Sequence, residues 1–226
     1  MKPLLFLDTA SIEEIIYWNN FGLVDGVTTN PILLSKESGN AYNHLKKICS
    51  IVKGPVSAQV TEKNSLKMIK QAKILKSIGK NVVIKLPCTL EGAKAAKIIS
   101  KQGYKINITL GFEPSQYLIF RNINITYFSF IIGRVEDFGK SNIENVYSIS
   151  KLIKKFNPKT KLLSASIRNS EQLNHALLAG SEAITIPPST WKKIFLNEFS
   201  ISGEKDFLNT WEALSSERRK GYEIKK

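Results

Sequence analysis

The strongest constraint on this chain is a regular alternation of short β-branched runs with longer stretches of helical apolar spacing. Such alternation predicts strands that pair in parallel, each joined to the next by a right-handed helical crossover. Successive strand starts lie about 26 residues apart, the length of one strand–helix unit. Eight units of this kind close a (β/α)8 barrel, with strands expected at residues 4–8, 26–30, 55–60, 81–87, 105–110, 127–132, 161–167 and 183–187.

The segments between the predicted strands carry apolar residues three and four positions apart, as in residues 66–75, which is the spacing of an amphipathic helix. We expect left-handed helix ends at Gly79, Gly103 and Gly180, because glycine adopts that conformation without strain. Ser170 is expected to cap the helix that follows it.

A doubly wound open sheet is the alternative fold, but no predicted strand is followed by a G-x-G-x-x-G or Walker-type loop. We therefore predict an α/β protein, a single (β/α)8 TIM barrel with an extra C-terminal helix. The barrel is placed at residues 1–203. Residues 204–226 form the extra helix and tail, since Phe207, Leu208, Trp211 and Leu214 have helical spacing.

Composition narrows the function classes. The chain has 226 residues, 42% of them hydrophobic, which is enough for one large domain with its own core. Two cysteines and two histidines exclude a disulfide framework and a four-ligand zinc site, and argue against histidine-centred catalysis. No apolar run approaches the ~20 residues of a membrane span, and no secretory signal is recognisable. These features predict a reduced, cytoplasmic enzyme or binding protein.

Polar side chains stand at the carboxyl ends of the predicted strands, where a barrel places its active site. Because side chains in a strand alternate between two faces, Asn107 is expected to share a face with Thr109, and Ser164 with Ser166 and Arg168. The candidate site residues are Asp8, Asn30, Gln59, Lys85, Asn107, Thr109, Ser129, Arg134, Ser166 and Arg168.

Lys85 is the most informative of these residues because it interrupts the aliphatic run of residues 82–87. An ammonium group inside an apolar barrel loses its hydration, which lowers its pKa. A neutral amine in a pocket can form a Schiff base with a carbonyl substrate. The alternative is a lysine that extends its charged end to water. Asp8 also has two interpretations, a carboxylate of the site or a cap for the helix that begins near Ser11.

Arg134, Ser166 and Arg168 suggest an anionic substrate group. Two guanidinium groups and a hydroxyl at a barrel mouth suit a phosphate, which arginine binds through paired hydrogen bonds. A surface network made of the same three residues is the alternative.

Taken together, these residues resemble the small transaldolase family, which also contains the fructose-6-phosphate aldolases. The resemblance extends to Trp211 and so covers nearly the whole chain. It is carried by Leu7-Asp8-Thr9-Ala10, Val24-Asp25-Gly26-Val27-Thr28-Thr29-Asn30-Pro31, Gly54-Pro55-Val56-Ser57-Ala58, Val83-Ile84-Lys85-Leu86-Pro87, Asn107-Ile108-Thr109-Leu110, Ile132-Gly133-Arg134 and Ala165-Ser166-Ile167-Arg168.

The resemblance implies a barrel with a cofactor-free class I aldol mechanism. Lys85 would form an imine with a ketose, and Asp8 would take a proton from the substrate as the C3–C4 bond breaks. Thr109 would position a water near the imine, and Gln59 could hold that water. The remaining residues would bind substrate: Asn30, Asn107 and Ser129 the hydroxyls of the three-carbon unit, and Arg134, Ser166 and Arg168 the phosphate.

The resemblance leaves two reactions open. Transaldolases carry a glutamate where this chain has Gln59, and an amide neither accepts nor donates the proton that the glutamate transfers. Gln59 matches the fructose-6-phosphate aldolases, Ile131 and Phe130 match neither branch, and Asn107 and Arg168 resemble transaldolases. We expect transfer of dihydroxyacetone from fructose 6-phosphate to erythrose 4-phosphate. Cleavage of fructose 6-phosphate to dihydroxyacetone and glyceraldehyde 3-phosphate is the alternative.

Partners follow from the same resemblance. Sugar phosphates are the expected substrates, neither cofactor nor metal is expected, and the C-terminal helix around Trp211 would pack on a neighbouring subunit of a pentamer or decamer. A barrel that binds sugar phosphate without catalysis is a further alternative, prompted by the net charge of +14. No nucleic acid partner is expected, since the lysine-rich helical faces show little aromatic interleaving. No membrane partner is expected either, since no apolar run is long enough to cross a bilayer.

Overall fold

The computed structural model describes residues 2–222. Within them, eight parallel strands form a closed barrel in sequence order, and the first strand pairs with the last. The predicted fold class, a (β/α)8 barrel with an extra C-terminal helix, is confirmed. The strands are β1 (Leu4–Asp8), β2 (Gly26–Thr28), β3 (Val56–Gln59), β4 (Val82–Pro87), β5 (Ile106–Gly111), β6 (Tyr127–Ile131), β7 (Lys161–Ala165) and β8 (Ala183–Ile186).

Helices connect the strands. After β5 a 3-10 helix (Pro114–Ile119) replaces the α-helix, and after β6 another (Gly133–Phe138) precedes the α-helix. No helix in the described part of the chain has the length and apolar character needed to cross a membrane. The α-helices are α1 (Ile12–Asn19), α2 (Pro31–Leu34), α3 (Ala41–Ile51), α4 (Ser65–Lys76), α5 (Leu90–Lys101), α6 (Asn145–Phe156), α7 (Ser170–Leu178), α8 (Pro188–Phe195), α9 (Glu198–Glu212) and α10 (Ser216–Arg219).

The helix ends match the sequence predictions only in part. Gly103 and Gly180 both have φ of +77°, as expected of left-handed helix ends. Gly79 does not adopt that conformation, and a Cβ there would lie 3.2 Å from the Cβ of Cys49. The cap of α7 is Asn169 rather than Ser170, because the Asn169 side chain accepts a hydrogen bond from the backbone of the first turn.

Apolar side chains from the inward face of the strands fill the barrel beneath the strand ends. Phe6 and Tyr127 meet edge to face across this layer, with ring centroids 5.6 Å apart. Gly26 makes room for them, since a Cβ at this position would lie 2.8 Å from the Phe6 ring. The layer consists of Phe6, Val83, Tyr127, Ile131, Leu163, Ala165 and Ala183.

The chain divides into two compact units, one up to Thr190 and the other from Trp191 onward. In the second unit, α9 begins at Glu198, earlier than the predicted start at Glu204. Asn197 sets this start, because its side chain accepts hydrogen bonds from the backbone of the first turn. The domain boundary after residue 203 and the packing of the tail on a neighbouring subunit stay predictions. Residues 223–226 lie outside the described residues.

Candidate active site

A cavity of about 280 Å³ opens at the carboxyl ends of the strands. Ile131 and Ala165 belong both to its lining and to the apolar layer, so the cavity stands directly on that layer. Most of the predicted site residues line it, namely Asp8, Asn30, Gln59, Lys85, Thr109, Ser129, Arg134 and Ser166. Asn107 and Arg168 lie outside the lining.

Lys85 points from β4 into this cavity and is only 7% exposed. Its Nζ donates a hydrogen bond to the carbonyl oxygen of Thr29 at 3.1 Å. Burial lowers the pKa of this amine, the nearby charge of Asp8 opposes the shift, and Arg134 adds to it. The structure therefore agrees with a desolvated amine rather than with a lysine that reaches bulk water.

Asp8, at the end of β1, accepts a hydrogen bond from the Thr28 hydroxyl and does not cap α1. Thr28 Oγ1 donates to Asp8 Oδ1 at 2.7 Å, and Thr28 Oγ1 lies 2.6 Å from Thr185 Oγ1. The cap of α1 is Ser11, whose hydroxyl accepts a hydrogen bond from the backbone NH of Glu14. Asp8 is therefore available to the cavity.

A second polar group lies on β3, β5 and β6. Asn107 is completely buried; its Nδ2 donates to Ser57 Oγ at 3.2 Å and its Oδ1 accepts from Ser129 Oγ at 2.7 Å. Ser129 lines the cavity whereas Asn107 does not. Asn107 therefore supports Ser129 from behind.

Gln59 and Thr109 come from strands on either side of β4. Gln59 pairs in register with Lys85, and Thr109 pairs with Pro87. Leu110, which follows Thr109 and also lines the cavity, has φ of +65°, next to an irregularity in the β5–β6 pairing. The pairing resumes between Gly111 and Phe130 in a shifted register, so the irregularity is a local bulge in β5 beside the cavity.

Asn30 lies where β2 gives way to α2. Its Oδ1 accepts a hydrogen bond from the NH of Leu33 at 2.9 Å, and Pro31 takes the first helical position. This cap fixes the side chain at the edge of the cavity.

The loops after β6 and β7 meet closely. Gly133 donates from its backbone NH to the Ser166 carbonyl oxygen at 3.1 Å, and a Cβ on Gly133 would lie 2.3 Å from that oxygen. Ser166 has φ of +62°. The prediction that Ser164 and Ser166 share one face is wrong, because this conformation interrupts the alternation of side chains along the strand. The Ser164 hydroxyl is hydrogen-bonded to the Ser181 hydroxyl at 2.7 Å, whereas Ser166 lines the cavity.

Arg168 departs from the expected convergence on the cavity. Its guanidinium donates two hydrogen bonds to the carboxylate of Asp137, at 2.6 and 2.9 Å. These hydrogen bonds from Arg168 lower the pKa of Asp137, and the charge of Arg134 lowers it further. Asp137 therefore lies within electrostatic reach of both arginines that were predicted to bind phosphate.

Cys88 follows Lys85 by three positions. Burial raises the pKa of its thiol to about 12, so the thiol stays protonated and is a poor nucleophile. In the described part of the chain, no three His, Cys, Asp or Glu side chains cluster closely enough to hold a metal ion.

Sequence reasoning assigned no role to Thr28 and Thr185, which also line the cavity. Thr28 was visible as part of the Thr-Thr-Asn-Pro stretch. The indication in the sequence is weaker for Thr185, which lies two positions after Ala183 and therefore on the same inward face of β8.

Comparison with known proteins gives evidence on the family of this chain that does not depend on the geometry of the site. The family model described as transaldolase/fructose-6-phosphate aldolase matches residues 5–220. A probable transaldolase of Methanococcus vannielii is 42% identical over 208 residues, which cover 92% of this chain and 97% of that protein. A probable transaldolase of Brucella anthropi is 39% identical over 206 residues, which cover 91% of this chain and 95% of that protein.

A solved structure shares the fold. The 3-hexulose-6-phosphate synthase of Salmonella typhimurium superimposes with a TM-score of 0.59, over 83% of this chain and 89% of that one. Sequence identity is 15%, so the similarity concerns the fold alone.

Proposed function

This chain belongs to the transaldolase/fructose-6-phosphate aldolase family, and we propose that it is a Schiff-base enzyme that transfers a dihydroxyacetone unit between sugar phosphates. The donor is fructose 6-phosphate and the acceptor is erythrose 4-phosphate. The metabolic setting of this transfer is the pentose phosphate pathway in the cytoplasm.

One observation carries the proposal: a buried amine, Lys85, lines the same cavity as the carboxylate of Asp8. Burial lowers the pKa of Lys85, which raises the fraction of neutral amine at a given pH. A neutral amine is the nucleophile that Schiff-base chemistry requires. Asp8 and Lys85 line one cavity of about 280 Å³, so a single substrate bound there would be within reach of both groups.

The first step joins Lys85 to the substrate. The Nζ lone pair attacks the C2 carbonyl carbon of the ketose, and one amine proton passes to the carbonyl oxygen. That oxygen takes a second proton from solvent and leaves as water as the C2–oxygen bond breaks. The product is a protonated imine, whose positive nitrogen attracts electrons from the neighbouring bonds. Thr109 and Gln59, which line the cavity beside Lys85, hold the water involved.

The second step breaks the C3–C4 bond. Asp8 takes the proton of the C4 hydroxyl, the electrons of that O–H bond form the aldehyde carbonyl, and the electrons of the C3–C4 bond move into the imine to give an enamine. Glyceraldehyde 3-phosphate leaves. In transfer, the enamine carbon attacks the aldehyde of erythrose 4-phosphate, and Asp8 returns its proton to the new hydroxyl. Water then adds to C2 of the resulting imine, the C2–nitrogen bond breaks, and a seven-carbon ketose phosphate leaves. Lys85 is again a neutral amine, and the proton taken up in the first step returns to solvent.

Polar side chains around the cavity hold the substrate in place for both steps. Asn30 and Ser129 bind the hydroxyls of the three-carbon unit, with Asn107 supporting Ser129. Arg134 and Ser166 bind the phosphate at the cavity rim. Arg168 joins them only after it leaves Asp137.

Aldol cleavage without transfer is the second candidate, and Gln59 favours it. An amide cannot exchange the proton that a glutamate would at this position, and Gln59 lies in register beside Lys85. Incubation with fructose 6-phosphate, with and without erythrose 4-phosphate, separates the two candidates. Product that needs the acceptor supports transfer, whereas free dihydroxyacetone without the acceptor supports cleavage.

Borohydride trapping tests both enzymatic candidates against a barrel that only binds sugar phosphate. Reduction in the presence of fructose 6-phosphate converts the imine to a stable amine, which peptide mass spectrometry locates. We expect a covalent adduct on Lys85 in the wild type and none in Lys85→Ala. A wild type that forms no adduct would refute both enzymatic candidates.

A further inference from the structure

Two buried hydroxyl groups, those of Thr28 and Thr185, form a hydrogen-bonded pair next to Asp8, and the proposed mechanism gives them no role. Thr28 Oγ1 contacts Asp8 Oδ1 at 2.7 Å and Thr185 Oγ1 at 2.6 Å. Thr28 is 1% exposed and Thr185 is 2% exposed, so water competes little for these hydrogen bonds. Because β1 lies between β8 and β2 in the barrel, the bond between the two threonines spans β1 on the inside.

The direction of the hydrogen bonds follows from the chemistry of the three groups. An ionised carboxylate only accepts, so the single hydroxyl proton of Thr28 is committed to Asp8. Thr185 must then donate to Thr28, since Thr28 has no second proton to offer. Each donation polarises the next hydroxyl, which strengthens the final hydrogen bond to Asp8.

We propose that Thr185 is a positioning residue that acts on Asp8 through Thr28. Thr185 keeps the Thr28 hydroxyl aimed at Asp8 Oδ1, and that bond fixes the rotation of the carboxylate. Oδ2 is then the oxygen that takes the proton of the substrate hydroxyl. This inference rests on the proposed function, in which Asp8 is the proton acceptor.

The steady-state rate of glyceraldehyde 3-phosphate release from fructose 6-phosphate, with erythrose 4-phosphate present as the acceptor, measures the role of Thr185. Thr185→Val keeps the shape of the side chain but removes the donor, and we expect kcat to fall about 3- to 10-fold with little change in KM. Thr185→Ser keeps a donor at this position and is expected to restore most of the rate. A side chain needed only for packing would not be rescued in this way.

A double-mutant cycle tests whether Thr185 works through Thr28. Thr28→Val removes the direct donor to Asp8 and is expected to lower kcat by more than Thr185→Val does. If the two hydroxyls form one relay, Thr28→Val/Thr185→Val is no slower than Thr28→Val alone. Multiplying effects would overturn the relay.

Thr160→Val is the matched control, because Thr160 is an equally buried threonine far from the cavity. It directly precedes β7, at the opposite end of the barrel, and its hydroxyl lies 3.4 Å from the Ile125 carbonyl oxygen. It should leave kcat unchanged, and all variants should melt cooperatively. Borohydride trapping on Lys85 distinguishes a failure of the relay from a failure of the proposed function. Normal trapping with an unchanged kcat in Thr185→Val would overturn the relay alone, whereas no trapping in the wild type would overturn the proposed function and the relay with it.

Discussion

Burial of the Lys85 amine favours the proposed Schiff-base chemistry and at the same time lowers the stability of the folded protein. The Lys85 side chain extends from an aliphatic strand and is 7% exposed, so the charged form is poorly hydrated and burial lowers the pKa of the amine. The same desolvation that prepares the amine for attack on a carbonyl makes the folded state less stable. A residue buried for its chemistry should therefore be replaceable by an apolar one with a gain in stability.

Lys85→Met should abolish borohydride trapping. It should also raise the free energy of unfolding at neutral pH by about 1–2 kcal/mol, which corresponds to a rise in melting temperature of about 2–8 °C. A lysine with a lowered pKa binds fewer protons when folded than when unfolded. Its destabilising effect is therefore absent above the unfolded pKa of 10.5 and grows as the pH falls toward the folded pKa. The gain of the variant should shrink as the pH rises from 7 toward 10.5.

Thermal melts at several pH values check this prediction. Lys97→Met is the control, because Lys97 is exposed on α5, and its melting temperature should stay near that of the wild type. A Lys85→Met protein that melts at or below the wild-type temperature at pH 7 would contradict the desolvation argument.

Asp137 should weaken the binding of the substrate phosphate to Arg168, because its carboxylate occupies the same guanidinium. A phosphate that binds Arg168 must displace the Asp137 carboxylate from its two hydrogen bonds. The ion pair is partly exposed, so its effect is modest. We expect Asp137→Asn to lower the KM for fructose 6-phosphate about 1.5- to 5-fold without changing kcat.

Steady-state kinetics with fructose 6-phosphate and with unphosphorylated fructose check this. The KM for the unphosphorylated sugar should not respond to Asp137→Asn, because it has no group that competes for Arg168. A higher KM for fructose 6-phosphate in the variant would mean instead that Asp137 places Arg168 for binding.

The elements that matter most to the site are the strand ends, where the regular backbone stops. In the described part of the chain, Leu110 and Ser166 are the non-glycine residues with positive φ, and both line the cavity. This conformation costs about 1–3 kcal/mol and is held by the surrounding structure. At Ser166 the support comes from Gly133, whose NH bonds the Ser166 carbonyl.

Gly133→Ala should disturb the loops after β6 and β7 together. The new Cβ would lie 2.3 Å from the Ser166 carbonyl oxygen, so the loops must separate. We expect the free energy of unfolding to fall by about 1–3 kcal/mol. Because Arg134 and Ser166 adjoin this contact, the KM for fructose 6-phosphate should rise.

Gly203→Ala is the matched control, since nothing lies within 4 Å of a Cβ at this position within α9. There the substitution should stabilise by about 0.5–1 kcal/mol, because alanine favours the helix. Urea denaturation of both variants measures the difference, and equal effects would mean that the close approach at Gly133 is not what matters.

At the scale of the whole molecule, the second compact unit exposes large apolar side chains. Phe199 and Phe207 of α9 are each 79% exposed, and Leu208 is 54% exposed. Exposed apolar groups of this size favour contact with another surface. They support the proposal that this helix packs on a neighbouring subunit of a homo-oligomer.

Phe207→Glu should weaken that assembly, because a carboxylate in an apolar contact loses its hydration. Light scattering after size exclusion gives the mass directly. We expect an oligomer for the wild type, a smaller species for Phe207→Glu, and no change for Lys205→Glu, which alters a residue that is already polar on the same helix. A monomeric wild type would remove the proposal.

The barrel could be predicted from the sequence because its signals are local. β-Branched runs at the spacing of one strand–helix unit place every strand within a few residues of its observed bounds. Lys85 could be singled out in the same way, since a charged residue inside an aliphatic strand is visible without coordinates. Asp8, Gln59 and Thr109 followed from the rule that barrel chemistry lies at the strand ends.

Other features depend on contacts between distant parts of the chain. The Thr28–Thr185 pair joins residues 157 positions apart, and Arg168 meets Asp137 across 31 positions. The left-handed Ser166 was also unforeseen, because strand alternation assumes a regular backbone. Local sequence determined the strands, the helix ends at Gly103 and Gly180 and the buried amine, since each follows from a few neighbouring residues. Only the tertiary structure decided which hydroxyls lie beside Asp8 and which carboxylate holds Arg168. Thr28 meets Thr185 only when β8 closes the barrel against β1, and Arg168 meets Asp137 only when β6 and β7 lie side by side.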